Sequence, residues 1–279
     1  MVARGAHGRA IREQGLQIDT LEGSWVAHPK VIDDVAQARG MDAELALVAV
    51  KTYNLHEVAA GVGAALRSDG RAIPLLNGLD SEEELGAVIG RDKVIGGISR
   101  MSGARRAPGH IALTGPHSML VAALEGQDDP KVASLAETLD QAGLNCNVHP
   151  HLKTMLWEKL VVNAPMNAIC ALADCNAGAM VRHEALCALF CAGMAEVIQV
   201  GQAEGAQLSL NMTERVLDAM HHRFPQLEPS MLQDMRARRP TEARGLQGAV
   251  VERGKRQGIA TPIHQTLLAL MLGREPLPS

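Results

Sequence analysis

Three polar residues stand in register along an otherwise apolar stretch. In LKTMLWEKLVVNAPMNAICALA, Lys159, Asn163 and Asn167 are spaced i, i+4 and i+8, so a helix puts them on one face. Leu156, Leu160, Val161, Val162 and Met166 surround them. A lysine held among apolar groups tends toward a lowered pKa, which suits a proton donor working near neutral pH. Amides both donate and accept, so the two asparagines can orient a keto or hydroxy group. The plainer alternative is a snorkelling lysine beside two asparagines that satisfy backbone groups. Pro165 removes one helical hydrogen bond and is expected to bend the helix between the asparagines.

Further candidates stand at expected element ends. Lys51 follows the run LALVAV at 45–50, and Asn77 follows AIPLL at 72–76. Both sit where strands end, the edge at which open α/β sheets bind ligands, although a polar residue ending a strand is also commonplace. Ser230, after Pro229, is an apt helix N-cap, and a helix N-terminus can also hold a carboxylate. Arg4 in MVARGAH reads in two ways. Just past a strand end it would grip a 2′-phosphate through its guanidinium; in a frayed terminus it is only an exposed base. His183, Cys187 and Cys191 share a helical face, with Cys175 upstream, but they lie among Ala, Leu and Phe190, where free cysteine behaves as a small hydrophobe. No metal site is expected there.

The elements that must position these residues change character along the chain. Up to about residue 99 short apolar runs (45–50, 72–76, 93–99) alternate with helical stretches, the pattern of a parallel α/β sheet. Ser81-Glu82-Glu83-Glu84 opens one of those helices with a capping-box pattern. Residues 100–124 read as short β pieces at an irregular or antiparallel edge. From about 151 the pattern is helical: a long helix over 151–174, a second over 183–205 ending at Gly205, then shorter ones near 212–223, 230–239, 241–257 and 262–272. The expected architecture is therefore α/β followed by all-α, with the boundary near 149. A dinucleotide site normally adds a glycine-rich turn after the first strand. The nearest string, Gly61-Val62-Gly63, falls inside a helical stretch and reads as small residues that let a helix pack closely on the sheet.

Bulk properties narrow the function. The net charge of −4 gives no field for nucleic acid or anionic lipid. No apolar run is expected to reach the roughly 18 residues of a membrane span, and the N-terminus lacks the apolar stretch of a secretory signal. Five cysteines without a small-domain spacing pattern suit a reducing, cytoplasmic setting.

Taken in order, VARGAH, AVK, Asn77-Gly78 after a strand, WEKLVVN, SMLQD and R-PTE resemble the ketopantoate reductase family over nearly the whole chain. The resemblance implies an incomplete Rossmann-type parallel sheet domain over 1–148 that binds NADP(H). It also implies a helical substrate domain over 149–279, similar to the C-terminal domain of 6-phosphogluconate dehydrogenase. It implies reduction of 2-dehydropantoate to pantoate in pantothenate biosynthesis. Lys159 would be the general acid, with Asn163, Asn167 and Ser230 binding substrate. Arg4, Lys51, Asn77 and Glu242 would bind the cofactor. Departures are the absent glycine turn, which implies an N-terminal truncation of about one β-α-β unit, Leu76 where the family often has Gln, and Gln247 where an asparagine is common. Two alternatives stay open: a reductase of another 2-keto acid, and a non-catalytic relative serving as a binding or dimerising module. A homodimer is compatible with each. Loss of a β-α-β unit would leave strand edges and apolar faces uncovered, so poor solubility or oligomerisation is also expected.

Overall fold

The computed structural model describes residues 1–125, 129–209 and 211–274. It divides into two units, one formed by Met1–Leu76 with Asp80–Leu152, the other by Asn77–Leu79 with everything from Lys153 onward.

The first unit is α/β. Its elements are α1 (Gly5–Gln14), β1 (Leu16–Asp19), β2 (Ser24–Ala27), β3 (Ala43–Val48), α2 (Leu55–Ala65), β4 (Leu66–Pro74), α3 (Ser81–Ile89), β5 (Gly96–Ala107), β6 (His110–Ala122), α4 (Pro130–Leu139) and β7 (Cys146–Val148). One sheet runs β2-β1-β6-β5, and β7 also pairs with β6; β3 and β4 form a separate parallel pair. The β1–β6 and β6–β7 pairings are parallel, whereas β1–β2 and β5–β6 are antiparallel. The short pieces expected over 100–124 are in fact one long hairpin, turning at Pro108-Gly109. The run at 93–99 is likewise not a single strand: Val94 makes an isolated parallel bridge to Ala72, and β5 begins at Gly96.

Local sequence explains the packing. In α2, Leu55, Val58 and Val62 fall on one face and join Val48, Leu85 and Val94 in a core. In α4, Asp129 caps the first turn by accepting the Lys131 N–H at 2.9 Å, with Pro130 in the first helical position. The α4 face Val132, Ala136 and Leu139 then packs with Met119 and Val121 of β6. Gly61 and Gly63 lie within α2 as expected, but their close neighbours are not the sheet. A Cβ at Gly61 would lie 2.5 Å from Val35, and one at Gly63 2.9 Å from Ile89. The N-terminus is not frayed. Val2 bridges Ile32 in parallel, and Arg4 occupies the N-cap position of α1.

The second unit is helical: α5 (Leu152–Ala173), α6 (Ala177–Arg182), α7 (Glu184–Ala203), α8 (Met212–His222), α9 (Ser230–Arg236), a π turn (Arg244–Gly248), α10 (Ala249–Gln257) and α11 (Pro262–Arg274). Helix α5 runs through Pro165 and is buried on most sides, through Met155, Trp157, Leu160, Val161, Ala164 and Ile169 among others. By length and composition α7 is apolar enough to cross a membrane, contrary to the expectation that no stretch reaches that length. Here Phe190, Met194, Val197 and Val200 bury one side of it in the helical core.

A buried carboxylate joins α7 to α11. Glu196 accepts the Ile263 N–H at 2.8 Å and the His264 N–H at 3.0 Å, and its second oxygen meets His264 Nδ1 at 2.7 Å. An ionised carboxylate only accepts, so that ring nitrogen carries the proton. Burial alone pushes the Glu196 carboxyl upward. The hydrogen bonds from the His264 ring and the two backbone N–H groups outweigh burial and hold it below its ordinary value of 4.5. A carboxyl depressed in the folded state adds stability that is complete above 4.5 and is lost as pH falls through the lower, folded value. Glu196→Ala is expected to cost about 3 kcal/mol at neutral pH, since it removes one partner of a buried pair. Urea unfolding at pH 7 and below pH 4 checks this, and the deficit should shrink on the acid side.

Candidate active site

The longest helix brings two candidate residues to one wall. Lys159 and Asn163, one turn apart on α5, line a pocket with Leu156, Leu160, Asn77, Gly78 and Leu246. Asn77 and Gly78 come from the connection after β4, three residues of which belong to the helical unit. Gly78 has φ +115°, and a Cβ on it would lie 3.2 Å from the Gly245 carbonyl oxygen. Glycine is therefore needed there twice over, for the backbone angle and for the approach to the π turn.

The opposite wall begins at Thr241, whose hydroxyl accepts the Ala243 N–H at 3.4 Å as the chain turns into helix. Glu242 follows and is buried, and its carbonyl accepts the Leu246 N–H at 3.0 Å. A buried carboxylate needs donors. The Asn77 amide supplies one, donating from Nδ2 to Glu242 Oε2 at 3.0 Å. With its amide nitrogen engaged in this way, Asn77 is oriented rather than free to rotate. The pocket thus combines a half-buried ammonium, two amides and an apolar lining of three leucines. Such a set can bind a small oxygenated ligand, orient a carbonyl and deliver a proton to it.

Not every residue singled out from the sequence meets here. Asn167, a further turn along α5, is buried and does not line the pocket. Ser230 is exposed as the first residue of α9; Pro229 holds the N-cap position and no side chain caps that helix, so the capping role expected of Ser230 is not observed. Arg4 and Lys51 belong to the first unit. Arg4 is exposed at the start of α1. Lys51 is half-buried, three residues past the end of β3. His183 caps α7, with Nδ1 accepting the Leu186 N–H at 3.5 Å. Among the described residues no group of three or more His, Cys, Asp or Glu is placed to hold a metal. Sequence reasoning missed Leu246 and the leucine lining contributed by Leu156 and Leu160. Leu246 gave no signal of its own, being one apolar residue in an apolar stretch.

Residues 1–126 match the family model described as "Ketopantoate reductase PanE/ApbA", and residues 151–275 match "Ketopantoate reductase PanE/ApbA C terminal". The chain belongs to the ketopantoate reductase family. Among curated relatives, the 2-dehydropantoate 2-reductase of Halobacterium salinarum is 32% identical over 267 residues, covering 95% of this chain and 86% of the relative. The difference in length is thus small. The same-named protein of Archaeoglobus fulgidus is 29% identical, covering 98% of this chain and 88% of that one. Among solved structures, 2-dehydropantoate 2-reductase from Geobacter metallireducens superposes with a TM-score of 0.91 at 26% identity, covering 98% of this chain and 90% of that one. D-mandelate dehydrogenase, solved with NADH and anilino(oxo)acetate, shares the fold with a TM-score of 0.88 at 23% identity, over 97% of this chain and 88% of that one. The family fold, a Rossmann-like unit followed by a helical one, accords with the α/β and helical units described above.

In this family member, the Asn77–Glu242 bond gives a direct test of the geometry. A double-mutant cycle of Asn77→Ala and Glu242→Gln, read by urea unfolding, should return a coupling energy of about 2 kcal/mol, the scale of a hydrogen bond to a charged group. Additive single effects would show that the amide and the carboxylate do not act as a pair.

Proposed function

We propose that this chain reduces 2-dehydropantoate to pantoate with NADPH, a step of pantothenate biosynthesis in the cytoplasm. The observation that carries the proposal is the convergence of Lys159, Asn163 and Asn77 on one pocket in a ketopantoate reductase family chain. When bound, the reduced nicotinamide supplies the hydride that the keto carbon accepts. Lys159 gives its proton to the keto oxygen as that oxygen gains charge. Asn163 and Asn77 orient the same group by hydrogen bonding, and Glu242 keeps Asn77 aimed. The three leucines exclude water from one side, which strengthens these polar contacts.

For the cofactor, Arg4 and Lys51 are assigned the first unit's share of the contacts, with Asn77 and Glu242 on the other side. Arg4 suits a 2′-phosphate because it is exposed directly after a parallel β-bridge, and Lys51 follows a parallel strand. For Asn167 and Ser230 the support for a substrate contact is the resemblance alone.

A second reading, reduction of a different 2-keto acid, draws on the shared fold with D-mandelate dehydrogenase. A panel of 2-keto acids with NADPH and NADH separates the two. The highest kcat/KM is expected with 2-dehydropantoate and NADPH. A higher value for an aryl 2-keto acid would move the substrate assignment, and no cofactor oxidation with any member would overturn the reductase reading. Lys159→Ala is expected to lower kcat by about 10²-fold or more, the range for a general acid, with the thermal transition unchanged. Near-normal turnover would refute the role of Lys159.

A further inference from the structure

The π turn Arg244–Gly248 carries a side chain that the mechanism above does not use. Gln247 is wholly buried, and its Nε2 donates to the carbonyl oxygen of Ala164 on α5. Ala164 directly follows Asn163, and one turn further back is Lys159. The residues beside Gln247 face the pocket. Leu246 lines it, and the Gly245 carbonyl is the surface against which Gly78 packs. Glu242, which holds Asn77, leads into the same turn through the bond from Leu246 N–H to its carbonyl. One amide therefore links the segment that fixes Asn77 to the helix that presents Lys159 and Asn163.

The cost of that amide is informative. Gln247 Oε1 is buried and meets no donor among the described residues. A leucine would fill similar space without stranding an acceptor, so polarity at this position is poorly explained by stability. It is well explained by reach. A π turn widens a helix by one residue, a distortion common near functional sites, and needs something to set its depth against the neighbouring helix. We infer that Gln247 is a positioning residue of this site, its side-chain amide setting the spacing between the π turn and α5. The activity arm of its test rests on the reductase reading; a second arm does not.

In the first arm, Gln247→Leu should melt within about 5 °C of the unsubstituted chain. Its kcat for 2-keto acid reduction should fall about tenfold or more. The KM for NADPH should stay within about twofold, because the loss is in alignment rather than in cofactor binding. Gln247→Glu adds a signature that a space-filling role would not give. Its carboxylate cannot donate to the Ala164 carbonyl, but the protonated acid can. Its activity, relative to the unsubstituted chain at the same pH, should recover as pH is lowered, and that of Gln247→Leu should not. In the second arm, without cofactor or substrate, the acylation rate of Lys159 is followed by mass spectrometry with Lys153 as internal reference. Gln247→Leu should change the Lys159 rate and leave that of Lys153 unaltered.

If the unsubstituted chain reduces no 2-keto acid, the reductase reading fails and the labelling arm alone decides the role of Gln247. If the variants keep full kcat per folded molecule and ordinary Lys159 labelling, whatever their melting temperatures, Gln247 is only a packing residue and the inference is overturned.

Discussion

A carboxylate taken out of water must be given donors, and Glu242 is such a group. The Asn77 amide answers that requirement from 165 positions away in the chain. Three residues, Asn77–Leu79, consequently belong with the helical unit although first-unit residues flank them on both sides. Once Asn77 is fixed, Gly78 must approach the Gly245 carbonyl, which only a residue without a side chain manages at a positive φ. The pocket wall opposite Lys159 follows from that sequence of constraints. Glu196 repeats the device in the helical core: there a buried carboxylate is satisfied by a helix N-terminus and a histidine, and the result is the anchoring of α11 on α7.

Much of this was legible in the sequence where one element supplied both the signal and the answer. Lys159 and Asn163 could be read as neighbours because α-helical spacing alone puts them on one face. The helices over 184–203, 212–222 and 262–274 followed from apolar periodicity and from Gly and Pro at their ends. Strand ends were less clear. The run at 45–50 became β3 over Ala43–Val48, since a continuous apolar run carries no mark of where pairing stops.

What stayed hidden depends on distance along the chain or on a change of helical phase. Helix α1, GAHGRAIREQ, has little apolar periodicity, and β2 is an exposed edge strand that buries almost nothing. Neither carried a hydrophobic signal. Ser230 looked like a cap by composition, but Pro229, with its extended backbone, took the position. The partners of Asn77 and Gln247 lie 165 and 83 residues away, beyond any local pattern. Leu246 and Gln247 also sit where the 3.6-residue period fails, so their directions could not be inferred from neighbours.

The π turn has one more consequence, best put as a matter of phase. Residues ahead of it and residues behind it belong to helices rotated relative to one another by one position. Removing a single residue between Arg244 and Gly248 would let the chain close into an ordinary helix and turn everything downstream by about 100°. The face of α10 now buried through Ala249, Val250 and Gly254 would swing outward, and Glu252 and Arg256 would be carried round toward the core. Chain length in these five residues is thus as strict a requirement as the identity of any one of them.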